Sequence, residues 1–232
     1  MIEFNVGGNT GLGSWGLMVA IWSPTIRSCI NKPIGLLSGP MTSKGQQTQE
    51  KILSATLELI ERQGFHNTGL QQIIKASGAP KGSLYFHFPE GKDQIVALAL
   101  AQGAELIRFT IEQAFSQASD TQQAICWLFD GLAVRLQNSE FEKGCPVATT
   151  ALEAGDEHPV VQAACATAYD GWSHALAGGL KKLNPGVEQS GQEATLILSI
   201  LEGALLLSKV RRSTEPLAQA RDAVLQRLTS QT

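Results

Sequence analysis

Residues 79–88 read APKGSLYFHF and bring Lys81, Ser83, Tyr85 and His87 together, an ammonium, two hydroxyls and an imidazole. Such a stretch is buried core, a cofactor contact or a surface made to touch something. Enzymatic work would need a nucleophile with its base, a metal-ligand set or a phosphate-binding loop, and the sequence shows none of these, so no enzyme is expected. The same groups suit a nucleic-acid surface. Lysine bonds guanine O6 and N7 or a phosphate, serine and tyrosine hydroxyls donate to phosphates, and a histidine donates while its ring packs. Gly82 removes a side chain where a backbone or a thymine methyl can approach. The plain alternative is that Lys81 and Tyr85 lie on a solvated helix face.

The other chemically able groups are scattered. Cys29, Cys126, Cys145 and Cys165 form no C-x-x-C pair and no metal-ligand spacing with the four histidines. Neither a disulfide framework, a zinc site nor any cofactor is expected, and a reducing cytoplasm fits best. Cys145 precedes an expected helix in KGCPVA, where a helix N-terminus would lower a thiol pKa. It reads either as a redox or electrophile sensor or as a structural cysteine. Gly11, Gly13 and Gly16 spell G-x-G-x-x-G without the strand and βαβ unit that a dinucleotide site requires. No apolar run reaches the roughly 18 residues of a membrane-spanning helix, so no membrane contact is expected.

The elements that must hold the 79–88 stretch are helical. From Thr48 onward Leu53, Leu57 and Ile60 recur at helical spacing and Gly64 supplies a stop. A short helix follows near 69–77, with Leu70, Ile73 and Ile74 inward and Gly78 placed for a sharp turn. A third begins at Pro80, where proline is tolerated in a first turn. Two short helices joined by a glycine-containing turn make a helix-turn-helix. Leu84 and Phe88, four residues apart, then face the core, and Lys81, Ser83, Tyr85 and His87 fall on other faces.

This segment, TGLQQIIKASGAPKGSLYFHFPEGKDQI, resembles the DNA-binding region of the TetR family of repressors over about 45 residues from Thr48. The LmrA/YxaF-like branch is the nearest in pattern, through TGLQQI, GAPKGSLY, the Pro-Glu-Gly-Lys insertion after Phe88, and GCPVATTALE. The resemblance implies that Thr68 and Lys92 hold phosphates, while Lys81, Gly82, Ser83, Tyr85 and His87 lie in or beside the major groove of double-stranded operator DNA. Gly69 stands where the wider family usually has a serine or threonine N-cap, which weakens that cap by a few tenths of a kcal/mol. The insertion leaves the register of Lys92 open.

Composition divides the chain in the same way. Residues 41–92 hold six Lys or Arg against four Glu, while 93–232 hold ten against sixteen Asp or Glu. The basic part is small and N-terminal, as a nucleic-acid-binding domain would be. Residues 1–40, Gly-rich and Pro-punctuated, read as a disordered extension or a start assigned too early, since Met41 opens MTSKGQQTQEKIL. Residues 93–232 read as further helices, so the expected fold class is all-α, with a three-helix DNA-binding domain over 41–92; the resemblance implies that the helical domain over 93–232 is an effector-binding and dimerisation domain.

In that second part Val161, Cys165, Tyr169, Trp172, Leu176, Leu180 and Leu183 form a long stripe, and further helices are expected near 121–137 and 146–154. ATLILSILEGALLLSKV, residues 194–210, is apolar nearly all round, and Leu217, Ala220, Val224 and Leu228 stripe the last helix. The resemblance implies a homodimer through these last two helices, with Gly203 and Ala204 allowing close approach. The alternative is that the apolar helix is the core of a monomer. The resemblance also implies a ligand pocket, for which Phe109, Trp127, Tyr169, Trp172 and Glu202 are candidate linings. For each aromatic, core packing explains the residue equally well. Glu202 bonds a ligand or partner, or lies on an exposed helix face. The branch is associated with drug-like and plant-derived aromatic ligands, so a small lipophilic or aromatic effector is expected.

Overall fold

The computed structural model describes residues 44–230. Residues 1–40, with the glycines at 11, 13 and 16 and Cys29, and the start at Met41 lie outside the described residues. Among the described residues there are nine helices and no strands. The first, α1 (Lys44–Gln63), begins four residues before the expected Thr48, because its opening turn is polar and leaves no apolar stripe to read. Thr48 Oγ1 donates to the Lys44 carbonyl at 2.9 Å within that turn. Ile52, Leu53, Leu57 and Ile60 bury one face of α1.

Then come α2 (Leu70–Ser77) and α3 (Lys81–His87). Gly78 sits between them at φ +63°, a left-handed conformation that costs little without a Cβ. Its N–H donates to the Ile74 carbonyl at 3.1 Å, which closes α2 and turns the chain sharply into α3. Gly69 caps α2 with no side chain of its own, as its identity dictates, and Gln72 Oε1 accepts the Gly69 N–H at 2.9 Å.

The long α4 (Lys92–Gln117) runs on from the helix-turn-helix. It is long and apolar enough, by composition alone, to cross a membrane, which corrects the expectation that no segment would be. Its Ile95, Val96, Leu100, Ile111 and Phe115 are buried instead among α1 and the helices that follow it, the behaviour of a core helix. These helices are α5 (Thr121–Asn138), α6 (Pro146–Ala154), α7 (Pro159–Leu183), α8 (Ser190–Arg211) and α9 (Glu215–Thr229). The most extensive packing is between α4 and α7. At Gly179 the Phe115 ring occupies the space where a side chain would begin, so glycine is what lets α7 lie so close to α4.

Of the last two helices, the nearly all-apolar α8 is covered by its own chain on one side only. Leu205 and Ala204 are inside the chain, whereas Leu206, Leu207 and Val210 on the same helix α8 are 61%, 48% and 73% exposed. In α9 Leu217, Val224 and Leu228 pack inward, and the outward residues Gln219, Asp222, Ala223 and Gln226 are mostly polar.

Candidate DNA interface and internal cavity

Helix α3 is fixed by two side chains and offers most of the others to solvent. Leu84 and Phe88 are fully buried. Lys81, Gly82, Tyr85 and Phe86 are exposed, and Ser83 and His87 are half-buried. The His87 ring meets the edge of Phe86 at 5.1 Å between centroids and tilts against Phe88 at 6.2 Å, so it packs while keeping a nitrogen edge. Thus Lys81, Gly82, Ser83, Tyr85 and His87 share one short, accessible helix.

Two residues expected beside them are placed otherwise. Thr68 is fully buried, and its hydroxyl donates to the Gly64 carbonyl at 2.7 Å, where it closes the turn between α1 and α2. The Lys92 ammonium folds inward, donating to the Phe65 carbonyl at 2.8 Å and lying 4.1 Å from the centre of the Phe65 ring. Burial lowers its pKa, against the pull of Asp93 and Glu153. In this conformation neither side chain is presented to a phosphate. Phe86, 81% exposed, was missed, although spacing alone places it opposite Leu84.

A second concave feature lies inside the later helices, a cavity of about 70 Å³ bounded by α4, α5, α7, α8 and the start of α6. Its wall is nearly all carbon, from residues such as Ile111, Leu128 and Leu198, with Trp172, Cys145, Arg135 and Glu202 among the exceptions. Two of the expected linings are therefore in place. Trp172 is buried and its indole N–H donates to the Ala104 carbonyl at 2.9 Å, which fixes the ring. Glu202 projects its carboxyl inward, where burial raises its pKa despite hydrogen bonds from Cys145 and Tyr169.

Tyr169 stands one step behind the wall, with its hydroxyl 3.4 Å from Glu202 Oε1 and its ring edge-on to Trp172 at 5.3 Å. Phe109 and Trp127 are not on the wall. On α4 the lining residues Ile107 and Ile111 lie one turn apart, and Phe109 between them points to the opposite side. On α5 the lining residues are Leu128, Leu132 and Arg135, and Trp127 sits about a quarter turn away, half-buried against the core.

Cys145 is the N-cap of α6, and its sulfur accepts the Ala148 N–H at 3.4 Å. Of the two readings of Cys145, its surroundings favour the structural one, since the helix N-terminus does not lower its pKa. Burial and the neighbouring Glu202 carboxyl raise it well above the ordinary thiol value, and the hydrogen bonds from Ala148 and Val147 do not compensate. A thiol held protonated is a poor nucleophile.

One connection between the two features had no sequence signal. Arg135 on the cavity wall bonds Glu61 of α1, 74 residues earlier, and both side chains are almost wholly buried. Lys143 bonds Glu58 of α1 and lies 3.2 Å from Glu61 Oε2. Burial works against the charged form of Glu58, but its bonds with Lys143 and Arg62 prevail and lower its pKa. Arg135 of α5 and Lys143 of the α5–α6 connection thus meet the buried Glu61 of the first helix, with the half-exposed Glu58 beside Lys143.

Comparison with known proteins agrees with this arrangement. Residues 52–99 match the family described as bacterial regulatory proteins, tetR family, and 121–223 match the C-terminal domain of LmrA/YxaF-like transcriptional regulators. The chain is 36% identical over 177 residues to the uncharacterized HTH-type transcriptional regulator YxaF of Bacillus subtilis, covering 76% of this chain and 92% of that protein. It is 35% identical over 170 residues to the HTH-type transcriptional regulator LmrA of the same organism, covering 73% and 90%. Among solved structures, a TetR transcriptional regulator from Legionella pneumophila superposes with a TM-score of 0.69 at 22% identity, covering 81% of this chain and 98% of that one. Reduced NemR of E. coli gives 0.67 at 22% identity, covering 76% and 94%, a likeness of fold. With an exposed helix-turn-helix at one end and an LmrA/YxaF-like helical domain at the other, the chain belongs to the TetR family of transcriptional regulators.

Proposed function

We propose that the protein is a dimeric repressor that binds a palindromic operator through α3 of each copy and leaves it when a small lipophilic or aromatic effector enters the cavity. DNA recognition is assigned to 41–92 and effector binding and dimerisation to 93–232, in the cytoplasm of a bacterium. Lys81, Gly82, Ser83, Tyr85 and His87 make the DNA contact; Thr68 supports it by holding the turn, and Lys92 joins it only on leaving Phe65. A single helix-turn-helix offers little contact area, and two copies reading half-sites about 34 Å apart supply useful affinity. The exposed Leu206, Leu207 and Val210 of α8 are the apolar surface that the second copy covers.

The observation that carries the regulatory half is the Arg135–Glu61 pair, which joins the cavity wall to the first helix of the DNA-binding domain. The cavity, about 70 Å³, exceeds the roughly 10–15 Å³ that one water needs and falls far short of the roughly 300–1,000 Å³ of a drug-sized pocket. An effector of that size must therefore move α5 or α8 to enter, and Arg135 transmits the movement of α5 to α1. The bound state is then one in which the two recognition helices no longer match consecutive major grooves, and a differential affinity of about 1–3 kcal/mol makes a useful switch.

Trp172 contributes a flat face, and Glu202, with Tyr169 behind it, a hydrogen-bonding group for a phenol or an amine. Titration of tryptophan fluorescence in a background where Trp15, Trp22 and Trp127 are all replaced by Phe, paired with release of promoter DNA, tests this with phenolics, hydrophobic cations and fatty acyl compounds. Release only by phosphorylated metabolites or inorganic ions overturns the effector class. Release only by oxidants, lost in Cys145→Ser, replaces it with sensing at Cys145, which the raised thiol pKa disfavours.

A further inference from the structure

We propose that Phe86 reads thymine, its ring packing against the 5-methyl group of one thymine in each operator half-site. The inference rests on the DNA-binding reading above and adds to it a residue and a base.

Among the described residues Phe86 is the one exposed phenylalanine, at 81%, whereas Phe65, Phe88, Phe115 and Phe129 are buried. Its exposure gives the fold no core contact to explain it. Its position on the helix is central. Two residues from Leu84 is about 200° round an α-helix, and Gly82, four residues before Phe86, lies on the same outward stripe. Leu84 and Phe88 are on the inward side, so the Gly82–Phe86 line is the part of α3 that stands farthest from the domain.

Gly82 has no heavy atom within 4 Å of where a Cβ would stand. A groove edge can descend onto the backbone there and lie beside the phenyl ring. His87 meets the ring edge-on at 5.1 Å, which restricts the orientations of the ring before any DNA arrives.

The occupant follows from chemistry. A base pair presents donors and acceptors in the major groove and one apolar group, the thymine C5-methyl, for which an apolar side chain is the fitting contact. The flanking Lys81 and Tyr85 are exposed and suited to phosphates, and 41–92 is the basic segment of an otherwise acidic chain. This charge favours DNA over an apolar or a basic protein partner.

The test uses the full chain and a duplex selected from a randomised pool by the wild-type protein. Each thymine of the selected site is then replaced by deoxyuridine, singly and at both symmetry-related positions, which removes the methyl and leaves base pairing intact. The expected result is a thymine at which deoxyuridine weakens binding about fourfold per methyl, and about fifteenfold when both half-sites carry it, from the transfer cost of one buried methyl.

Phe86→Ala should bind the unmodified site more weakly and lose that sensitivity, and Phe86→Leu should keep part of it. The thermal midpoint of Phe86→Ala should not fall, since the side chain is exposed, and the salt slope should not change, since a methyl contact releases no counterion. Equal deoxyuridine sensitivity in wild type and Phe86→Ala at every thymine overturns the proposal, as does a Phe86→Ala variant of unchanged affinity. If the pool yields no enriched sequence, the DNA-binding reading fails and the inference with it. Enrichment followed by indifference to deoxyuridine sinks the inference alone.

Discussion

On α3 the residues assigned to contact are exposed or half-buried, and the fully buried Leu84 and Phe88 anchor the helix. Around the cavity the arrangement is reversed, because Trp172, Leu128 and Leu198 face the open space and at the same time pack the domain. A substitution on α3 can therefore alter binding with the fold untouched. One on the cavity wall changes binding and stability together, and the two effects must be separated by measuring both. The buried charges on Glu61, Arg135 and Lys143, with the half-exposed Glu58 beside them, belong to neither pattern, since they hold one region to the other.

The harshest test of that separation is Glu61→Ala. Removing this carboxylate leaves Arg135 and Lys143 in the interior with too little opposite charge, and a broken buried pair costs about 3–5 kcal/mol. Chemical denaturation should show the loss, and a change below 1 kcal/mol would mean that the two regions are not tied here. The double variant Glu61→Leu with Arg135→Leu sharpens the point. Apolar replacement of a buried pair is often neutral for stability, so this protein should fold and bind DNA yet respond poorly to effector.

The next largest effect is on association. Leu206→Asp or Val210→Asp places a charge on the open face of α8, and loss of about 1.5–3 kcal/mol of burial from each copy weakens the dimer a hundredfold or more. Sedimentation should show monomers with an unchanged helical signal. Leu205→Asp, 5% exposed and internal, should unfold the chain instead. A wild-type protein that is monomeric at micromolar concentration removes the dimer altogether.

Smaller again is Lys81→Ala, expected to reduce operator affinity about tenfold, with either a salt slope lower by about one unit or relaxed specificity at one position. Its melting temperature should stay the same. Wild-type affinity in this variant would make Lys81 a solvated side chain.

The mildest change is Glu202→Gln. The Glu202 pKa is raised in the folded protein, chiefly by burial. Its contribution is thus fully present below the unfolded carboxylate pKa and is lost as pH rises through the higher folded value. Glu202→Gln should therefore melt higher than wild type at neutral pH and match it in acid. Equal shifts at both pH values would show that the carboxyl is solvated, and the cavity would lose its polar anchor.

The sequence made the helix-turn-helix readable because local rules act there. Gly78 marks the turn, the Leu84 and Phe88 pair marks the buried face, and what remains is surface. Phe86 was readable by the same rule but is apolar, and an apolar residue in a row of aromatics draws attention to the core. The wall of the cavity was readable only at Trp172 and Glu202. An aromatic on a helical stripe satisfies core packing and ligand contact alike, and the direction in which Phe109 or Trp127 points depends on which neighbour each helix meets. Arg135 had no signal at all, since its partner Glu61 lies 74 residues away. The open face of α8 was hidden for a related reason, as nearly continuous apolar sequence does not show which side the chain itself covers.

The narrowness of the cavity has a consequence for signal fidelity. A molecule the size of a few waters can occupy it with the walls at rest, so under the proposed mechanism occupancy and response would be separate events, and solvents or small metabolites that merely fill the space would leave transcription as it was. Only a molecule large enough to spend part of its affinity on parting the helices would then give a response, and its apparent dissociation constant would be weakened by the rarity of the open form. Under the proposed effector mechanism, the resting volume of about 70 Å³ would act as a size threshold on the regulator's input.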